Sequence, residues 1–348
     1  MKKFRSYLTL AGFLVLSIGI ADAREQISIV GSSTVYPFAT VVAEHFGQTT
    51  SFKTPKIEST GSGGGLKLFC AGLGVQTPDI TNASRRIKQS EVDSCRENGV
   101  SEIIEVKVGY DGIVLANSKK ADMMKVELQD IYLALAKDIP NPDGSESFVP
   151  NPHKMWSDVN ADLPQREIMV LGPPPTSGTR DAFVELGMEG GCKKYEWIKA
   201  MKSVDKTAYK ARCHSIREDG AYIEAGENDN LIVQKLSVNP DAFGIFGFSF
   251  LEQNMDIVQG ALIGDVSPVF ETISDGSYPI SRALYFYVKK QHVGVIPGVA
   301  EYAKAFINPE ATGPEGYLID RGLIPMGAAE HEAIMDAVNN LEILSATL

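Results

Sequence analysis

Apolar and polar positions along the chain follow two alternating periods. Gln26 to Val30 places Ile27 and Ile29 on one face, as a short strand does. Gly31-Ser32-Ser33-Thr34 then reads as a polar turn, and Val35 to Phe46 has helical spacing, with Pro37 tolerated in the first turn. The same grammar recurs downstream. Lys56 to Ser59 predicts a strand, Thr60-Gly61-Ser62-Gly63-Gly64-Gly65 a glycine-rich turn and Leu66 to Gly72 a helix. Asp79 to Asn82 predicts a strand end that leads through Ala83-Ser84-Arg85-Arg86 into a helix capped by Ser90. Glu102 to Val106 and Gly112 to Asn117 are two extended, β-branched runs. Glu167 to Leu171 predicts a strand, followed by the turn Gly172 to Thr179 and a helix over Arg180 to Leu186. Pro140, Pro142, Pro150 and Pro152 mark Asp138 to His153 as a solvated surface loop. Repeated strand, polar turn and helix predict an α/β architecture with largely parallel sheets.

The first 23 positions stand outside this pattern. Lys2, Lys3 and Arg5 precede an apolar run from Tyr7 to Ile20, and Ala21-Asp22-Ala23 has the small-x-small form of a cleavage site. The run is shorter than the roughly 20 residues a spanning helix needs, so residues 1–23 read as a secretory signal peptide. No cysteine lies near the cleavage point, which predicts an exported, freely soluble product with no lipid anchor.

With 44% hydrophobic and 22% charged residues the chain is globular, and 348 residues predict about two domains. The net charge of −11, with no basic run beyond the first few residues, excludes nucleic acid and anionic membrane as expected partners. Export also changes the reading of the four cysteines. Cys70, Cys95, Cys192 and Cys213 make an even count in an oxidising compartment, which predicts two disulfides. Of three possible connectivities, sequential pairing, Cys70 with Cys95 and Cys192 with Cys213, closes loops short enough to lie inside one domain. No Cys/His cluster stands at metal-ligand spacing, so no metal or other cofactor is expected.

Three strand-to-helix turns share a chemistry. Gly31 to Thr34, Gly61 to Gly64 and Thr176 to Thr179 each put hydroxyls and side-chain-free backbone immediately before a helix. Helix N-termini carry unpaired N–H groups and partial positive charge, so they bind oxyanions, although Ser and Thr are also ordinary N-caps. Arg85 and Arg180 sit beside two of these turns, where a cation opposes the helix dipole. Either forms a surface salt bridge, with Asp181 or Glu185 as partner, or offers a guanidinium fork to a phosphate-like anion.

The stretches Ile29 to Phe38, Thr60 to Gly65, Asp79 to Arg85 and Ser177-Gly178-Thr179-Arg180, with Asp130-Ile131-Tyr132, Trp156 and Gly244 to Phe248, occur in an order that resembles the periplasmic phosphate-binding protein family of the ABC phosphate importer. The resemblance implies a two-lobed α/β periplasmic binding protein fold with two crossovers between lobes, near Tyr110-Asp111-Gly112 and Pro279-Ile280-Ser281-Arg282. Lobe one would comprise residues 24–112 and 282–348, and lobe two residues 113–281. It implies a monomer that captures inorganic phosphate between the lobes and hands it to a membrane permease. Residue by residue it points to Ser33, Thr34, Ser62, Arg85, Ser177, Gly178 and Thr179.

The chain departs from the family pattern at two places. Some members carry an acidic residue where Arg85 stands, which accepts the hydrogen of hydrogen phosphate and so rejects sulfate. Arginine only donates. The acceptor must then come from elsewhere, with Asp111 as first candidate and Glu218 or Asp219 next. Members also often have an arginine four residues before the Ser-Gly-Thr serine; Pro173 occupies that place here, and Arg180 is the substitute. Another oxyanion is the alternative ligand.

Enzyme motifs fail. Neither Ser62 nor Ser177 is set in Gly-x-Ser-x-Gly, and His331-Glu332 is not followed by a second histidine at zincin spacing. A secreted phosphatase acting through a serine nucleophile lacks both a base and metal ligands.

Overall fold

The computed structural model describes residues 24–175, 177–226 and 229–348, so the signal-peptide reading and Thr176 lie outside the described residues. Nine strands build the main sheet: β1 (Ser28–Gly31), β2 (Lys56–Ser59), β3 (Ile80–Ala83), β4 (Ile103–Ser118), β5 (Val170–Gly172), β6 (Tyr222–Glu224), β7 (Phe243–Gly247), β8 (Val258–Gly260) and β9 (Ser281–Lys289). Their order is β2-β1-β3-β9-β4-β7-β5-β6, with β8 also on β4.

The two extended runs expected before and after Tyr110 are one 16-residue strand, β4. Nine of its first ten residues pair with β9, Val108 being skipped, and its end pairs with β7 and β8. Glycine made the sequence look interrupted. Gly109 has φ +148°, and a Cβ there would lie 2.5 Å from the carbonyl oxygen of Ile324, so this bend and close approach require glycine. Opposite it, β9 shifts register between Leu284 and Tyr285.

The expectation of largely parallel sheets is corrected by this central pair. β1 pairs in parallel with β2 and β3, and β5 with β6 and β7. β9 runs antiparallel to both β3 and β4, and β4 runs antiparallel to β7 and β8. The sheet is therefore mixed: parallel strand-helix-strand units occupy its flanks, while the long central strands β4 and β9 pair antiparallel.

Burial follows the same division. One apolar core packs Ile27, Ile29, Val42, Phe46, Val106, Phe286 and Tyr302, and a smaller neighbour packs Leu66, Phe69, Ile87 and Val100. A separate core packs Val114, Tyr132, Trp156, Phe183, Phe243 and Phe246. Among the described residues, only β4 and β9 run between them as sheet.

Three local expectations change. The glycine run is not a turn: the helix begins at Ser62 and ends at Phe69. A Cβ on Gly65 would lie 2.5 Å from Gly31 Cα, so glycine inside this helix lets it press onto the end of β1. The next helix starts at Gln89, with Ser90 already in its first turn, and Glu91 accepts the Lys88 N–H at 2.9 Å. Residues 138–153 contain a small antiparallel pair, Asp138–Pro140 with Phe148–Pro150, whose prolines are tolerated because it is a two-stranded edge element. Both disulfides have the sequential pairing, Cys70–Cys95 and Cys192–Cys213.

Candidate functional site

A cleft of about 580 Å3 opens where the strand ends of the two cores face each other. One wall comes from the turn after β1. A Cβ on Gly31 would strike the Asn82 carbonyl oxygen at 2.1 Å, so glycine lets β1 lie hard against β3 before the chain turns. Ser32 closes that turn, its carbonyl accepting the Tyr36 N–H at 3.0 Å, and the Tyr36–Thr49 helix follows. Ser33 and Thr34 line the cleft. The facing wall is the N-terminus of the Gly178–Phe183 helix, where Ser177 Oγ accepts the Thr179 N–H at 3.2 Å. Ser177, Gly178 and Thr179 line the cleft, and a Cβ on Gly178 would lie 3.6 Å from both Ser33 O and Thr34 Cα. A side chain at position 178 would thus touch the Ser33-Thr34 turn, so glycine there keeps the two hydroxyl-bearing turns close across the cleft.

Behind the lining residues Thr34 and Asp111 stands a guanidinium that the motifs do not single out. Arg282, at the start of β9, donates to Thr34 Oγ1 at 2.6 Å, to Glu185 Oε2 at 2.8 Å and to Asp111 Oδ2 at 3.4 Å. Asp111 is nearly buried, and burial pushes its carboxyl above the usual range; Arg282 opposes that shift and Glu185 adds to it. A second buried carboxylate, Asp229, lines the same cleft at the start of the Asp229–Val238 helix. Its pKa is pushed up to about 6, first by burial and further by Asp111, while an N–H···O bond from Gly247 at 3.1 Å works against the rise.

Three expected site residues are held elsewhere. Ser62 Oγ accepts the Ser84 N–H at 3.0 Å and lies 3.1 Å from Ser84 Oγ, fastening the helix to the end of β3. Arg85 forks onto Glu91 with bonds of 2.9 and 2.7 Å, so its salt bridge is real but its partner is neither Asp181 nor Glu185. Arg180 donates to the Pro173 carbonyl at 3.2 Å and lies over the Tyr222 ring, 4.4 Å from the centroid. The next acceptor candidates also sit apart: Asp219 is ion-paired with Arg217, and neither it nor Glu218 lines the cleft. The cleft brings together Ser33, Thr34, Asp111, Ser177, Gly178 and Thr179 from the expected set. It adds Asp229, Gly247, Arg321 and Gly322.

Spacing could not have shown Arg282, because its partners lie 97, 171 and 248 residues away. Its position in the Pro279–Arg282 crossover was the one available signal.

A profile of the PBP superfamily domain matches residues 19–309. The chain belongs to the PBP superfamily. Among curated relatives of this PBP-superfamily chain, the phosphate-binding protein PstS of Staphylococcus saprophyticus is 29% identical over 294 residues, covering 82% of this chain and 76% of that protein. PstS of Staphylococcus haemolyticus is 30% identical over 304 residues, covering 85% and 82%. Among solved structures, that of a possible phosphate-binding protein from Planctomyces limnophilus superposes with a TM-score of 0.71 at 24% identity, covering 91% of this chain and 98% of the other. The fold is that of the two-lobed periplasmic binding proteins.

Proposed function

We propose that this chain captures inorganic phosphate between its two lobes and delivers it to the membrane permease of an ABC importer in the periplasm, as a monomer. It is a substrate-binding protein and not an enzyme, in keeping with curated relatives named for binding phosphate. Residues 24–112 with 282–348 act as one lobe and residues 113–281 as the other, β4 and the start of β9 serving as the crossovers. One observation carries the reading: the Ser33-Thr34 and Ser177-Gly178-Thr179 turns, each at a helix N-terminus, face each other across a cleft whose lining residues Thr34 and Asp111 are bonded to Arg282. N–H and hydroxyl donors then surround a tetrahedral anion from both sides, and hinge closure holds the two sets on it. Among the described residues no helix is long and apolar enough to cross a membrane.

Calorimetric titration of ligand-stripped protein with phosphate, sulfate, arsenate and molybdate tests the ligand. Binding of phosphate ahead of sulfate is expected, and absence of phosphate binding overturns the reading. Small-angle scattering tests closure, with a smaller radius of gyration expected in phosphate; an unchanged radius alongside measured binding removes the hinge.

A further inference from the structure

Arg282 carries positive charge behind the cleft, yet Thr34, Glu185 and Asp111 already occupy its donors. Among the described residues, the charged side chains that line the cleft itself are Asp111, Asp229, Asp320 and Arg321. Three carboxylates on a chain of net charge −11 repel an approaching dianion, so its admission falls to the one lining cation.

Arg321 is exposed, and among the described residues its guanidinium has neither a hydrogen bond nor an ion pair. Asp320 lines the same wall without pairing with it. The backbone beneath the arginine is firmly held. Its N–H donates to the Leu318 carbonyl at 3.0 Å, the Leu323 N–H returns to the same oxygen at 3.1 Å, and Gly322 between them has φ +92°, the left-handed conformation that closes such a turn. Leu318 and Leu323 are fully buried on either side. Ile324 then exchanges both backbone bonds with Tyr110 on β4, at 2.8 and 3.0 Å, one residue before Asp111. The turn belongs to the first core, but a Cβ on Gly322 would lie 3.6 Å from Ser249 Oγ in the Phe248–Gln253 helix, which packs in the other core. An unpaired guanidinium is thus fixed where the two cores meet.

Arg321 borders a second space as well. With Asp320 it lines a trough of about 540 Å3 whose other walls are Val41, His45 and Tyr317. The same side chain therefore stands on the boundary between this outer trough and the cleft that holds the donor turns.

We propose that Arg321 is an outer anion site: it takes hydrogen phosphate from solvent at the rim of the cleft and passes it inward to the Ser33-Thr34 and Ser177-Gly178-Thr179 turns. This assignment rests on the phosphate reading and deepens it, because it names the group that admits a dianion to an acidic protein. An exposed cation makes a weak contact that salt screens, so its contribution is to the rate of capture and not to the hold on the anion once bound.

The experiment mixes the ligand-stripped mature chain rapidly with radiolabelled phosphate for the association rate, then chases with unlabelled phosphate for the dissociation rate, for wild type, Arg321→Ala, Arg321→Glu and Arg321→Lys. At an ionic strength of about 0.01 M, where the screening length is about 30 Å, Arg321→Ala is expected to slow association about threefold to tenfold and Arg321→Glu further, with dissociation within about twofold of wild type. Arg321→Lys keeps the charge and is expected to associate within about twofold of wild type. At about 1 M, where the screening length is about 3 Å, the four association rates should converge. Association unchanged at low salt in both Arg321→Ala and Arg321→Glu, with wild type binding phosphate, overturns this assignment alone. A loss that falls wholly on dissociation overturns it too, since that marks a group touching the bound anion. A wild type that retains no labelled phosphate overturns the functional reading and the assignment with it.

Discussion

Arg282 and Thr34, 248 residues apart in the chain, are joined by a hydrogen bond of 2.6 Å from guanidinium to hydroxyl. The bond ties the start of β9 to the turn after β1, and the same guanidinium reaches Asp111 on β4 and Glu185 beyond the Ser177-Gly178-Thr179 turn. One side chain thereby couples β9, β4, the turn after β1 and the segment that follows the Gly178–Phe183 helix. On the proposed reading, a dianion bound between Thr34 and Ser177 would face this positive group, whose charge the two carboxylates share.

Arg282→Ala is expected to abolish measurable phosphate binding and to destabilise the protein by about 3–5 kcal/mol, because Asp111 is left buried without its cation. Urea unfolding and calorimetry on the same samples check both effects. Arg282→Lys restores the charge without the fork, so it should recover part of the stability and little of the affinity. Wild-type affinity in Arg282→Ala would remove Arg282 from the site.

How much of this was legible beforehand follows from where each signal lies. The turns Ser33-Thr34 and Ser177-Gly178-Thr179 are local: hydroxyls, glycine and the start of helical spacing stand within a few residues of one another, and both turns line the cleft. The Cys70–Cys95 and Cys192–Cys213 pairs are nearly local too, at separations of 25 and 21. Asp229 left no such trace, since it becomes a cleft residue only when β7 brings Gly247 beside it. Arg85 shows the converse: a cation beside an anion-binding turn looks like a ligand until the fold places Glu91, six residues on, within its reach. β4 resembles two strands in the sequence because glycine marks a break there and a permitted bend in a sheet.

Stability should carry the signature of Asp229 in the absence of ligand. Its folded pKa of about 6 lies above the ordinary carboxyl value of 3.8. The folded state binds this proton more tightly than the unfolded chain, so the associated penalty is absent below pH 3.8, grows between there and pH 6, and is complete above. Asp229→Asn should therefore stabilise the ligand-free protein at pH 8 by an amount on the order of 3 kcal/mol, and the gain should vanish near pH 4. Thermal unfolding at several pH values reads this directly. A variant less stable than wild type at pH 8 would show that Asp229 contributes more as a bonded anion than its burial costs.

The two disulfides predict a mass lower by four hydrogens in the unreduced protein and no thiol reactive under native conditions, since all four cysteines are paired. Replacing Cys192 and Cys213 together with Ala should cost about 2–4 kcal/mol by the loop-entropy argument while leaving phosphate affinity nearly unchanged, because neither residue lines the cleft. Denaturant midpoints with and without reductant check the first claim and titration of the double variant the second. A loss of affinity with the midpoint unchanged would connect that disulfide to the site.

The final test concerns which cation serves the anion. Arg85 is a third exposed and its fork is taken by Glu91, whose pKa burial raises but Arg85 and the Lys88 amide lower further, leaving it below the usual value. In this arrangement Arg85→Ala removes a partly exposed ion pair, so stability should fall by no more than about 1 kcal/mol and phosphate affinity by less than about threefold. Arg180 differs because among the described residues it forms no ion pair: it rests on the Tyr222 ring and the Pro173 carbonyl, one residue past the donor turn. Arg180→Ala should therefore weaken phosphate more than Arg85→Ala does, through the charge lost beside Thr179. Raising the salt concentration should narrow that difference, as screening acts on a charge that does not touch the ligand. If Arg85→Ala proves the more damaging of the two, the guanidinium must leave Glu91 on closure, and Glu91→Gln, which frees it, should then bind phosphate more tightly than wild type.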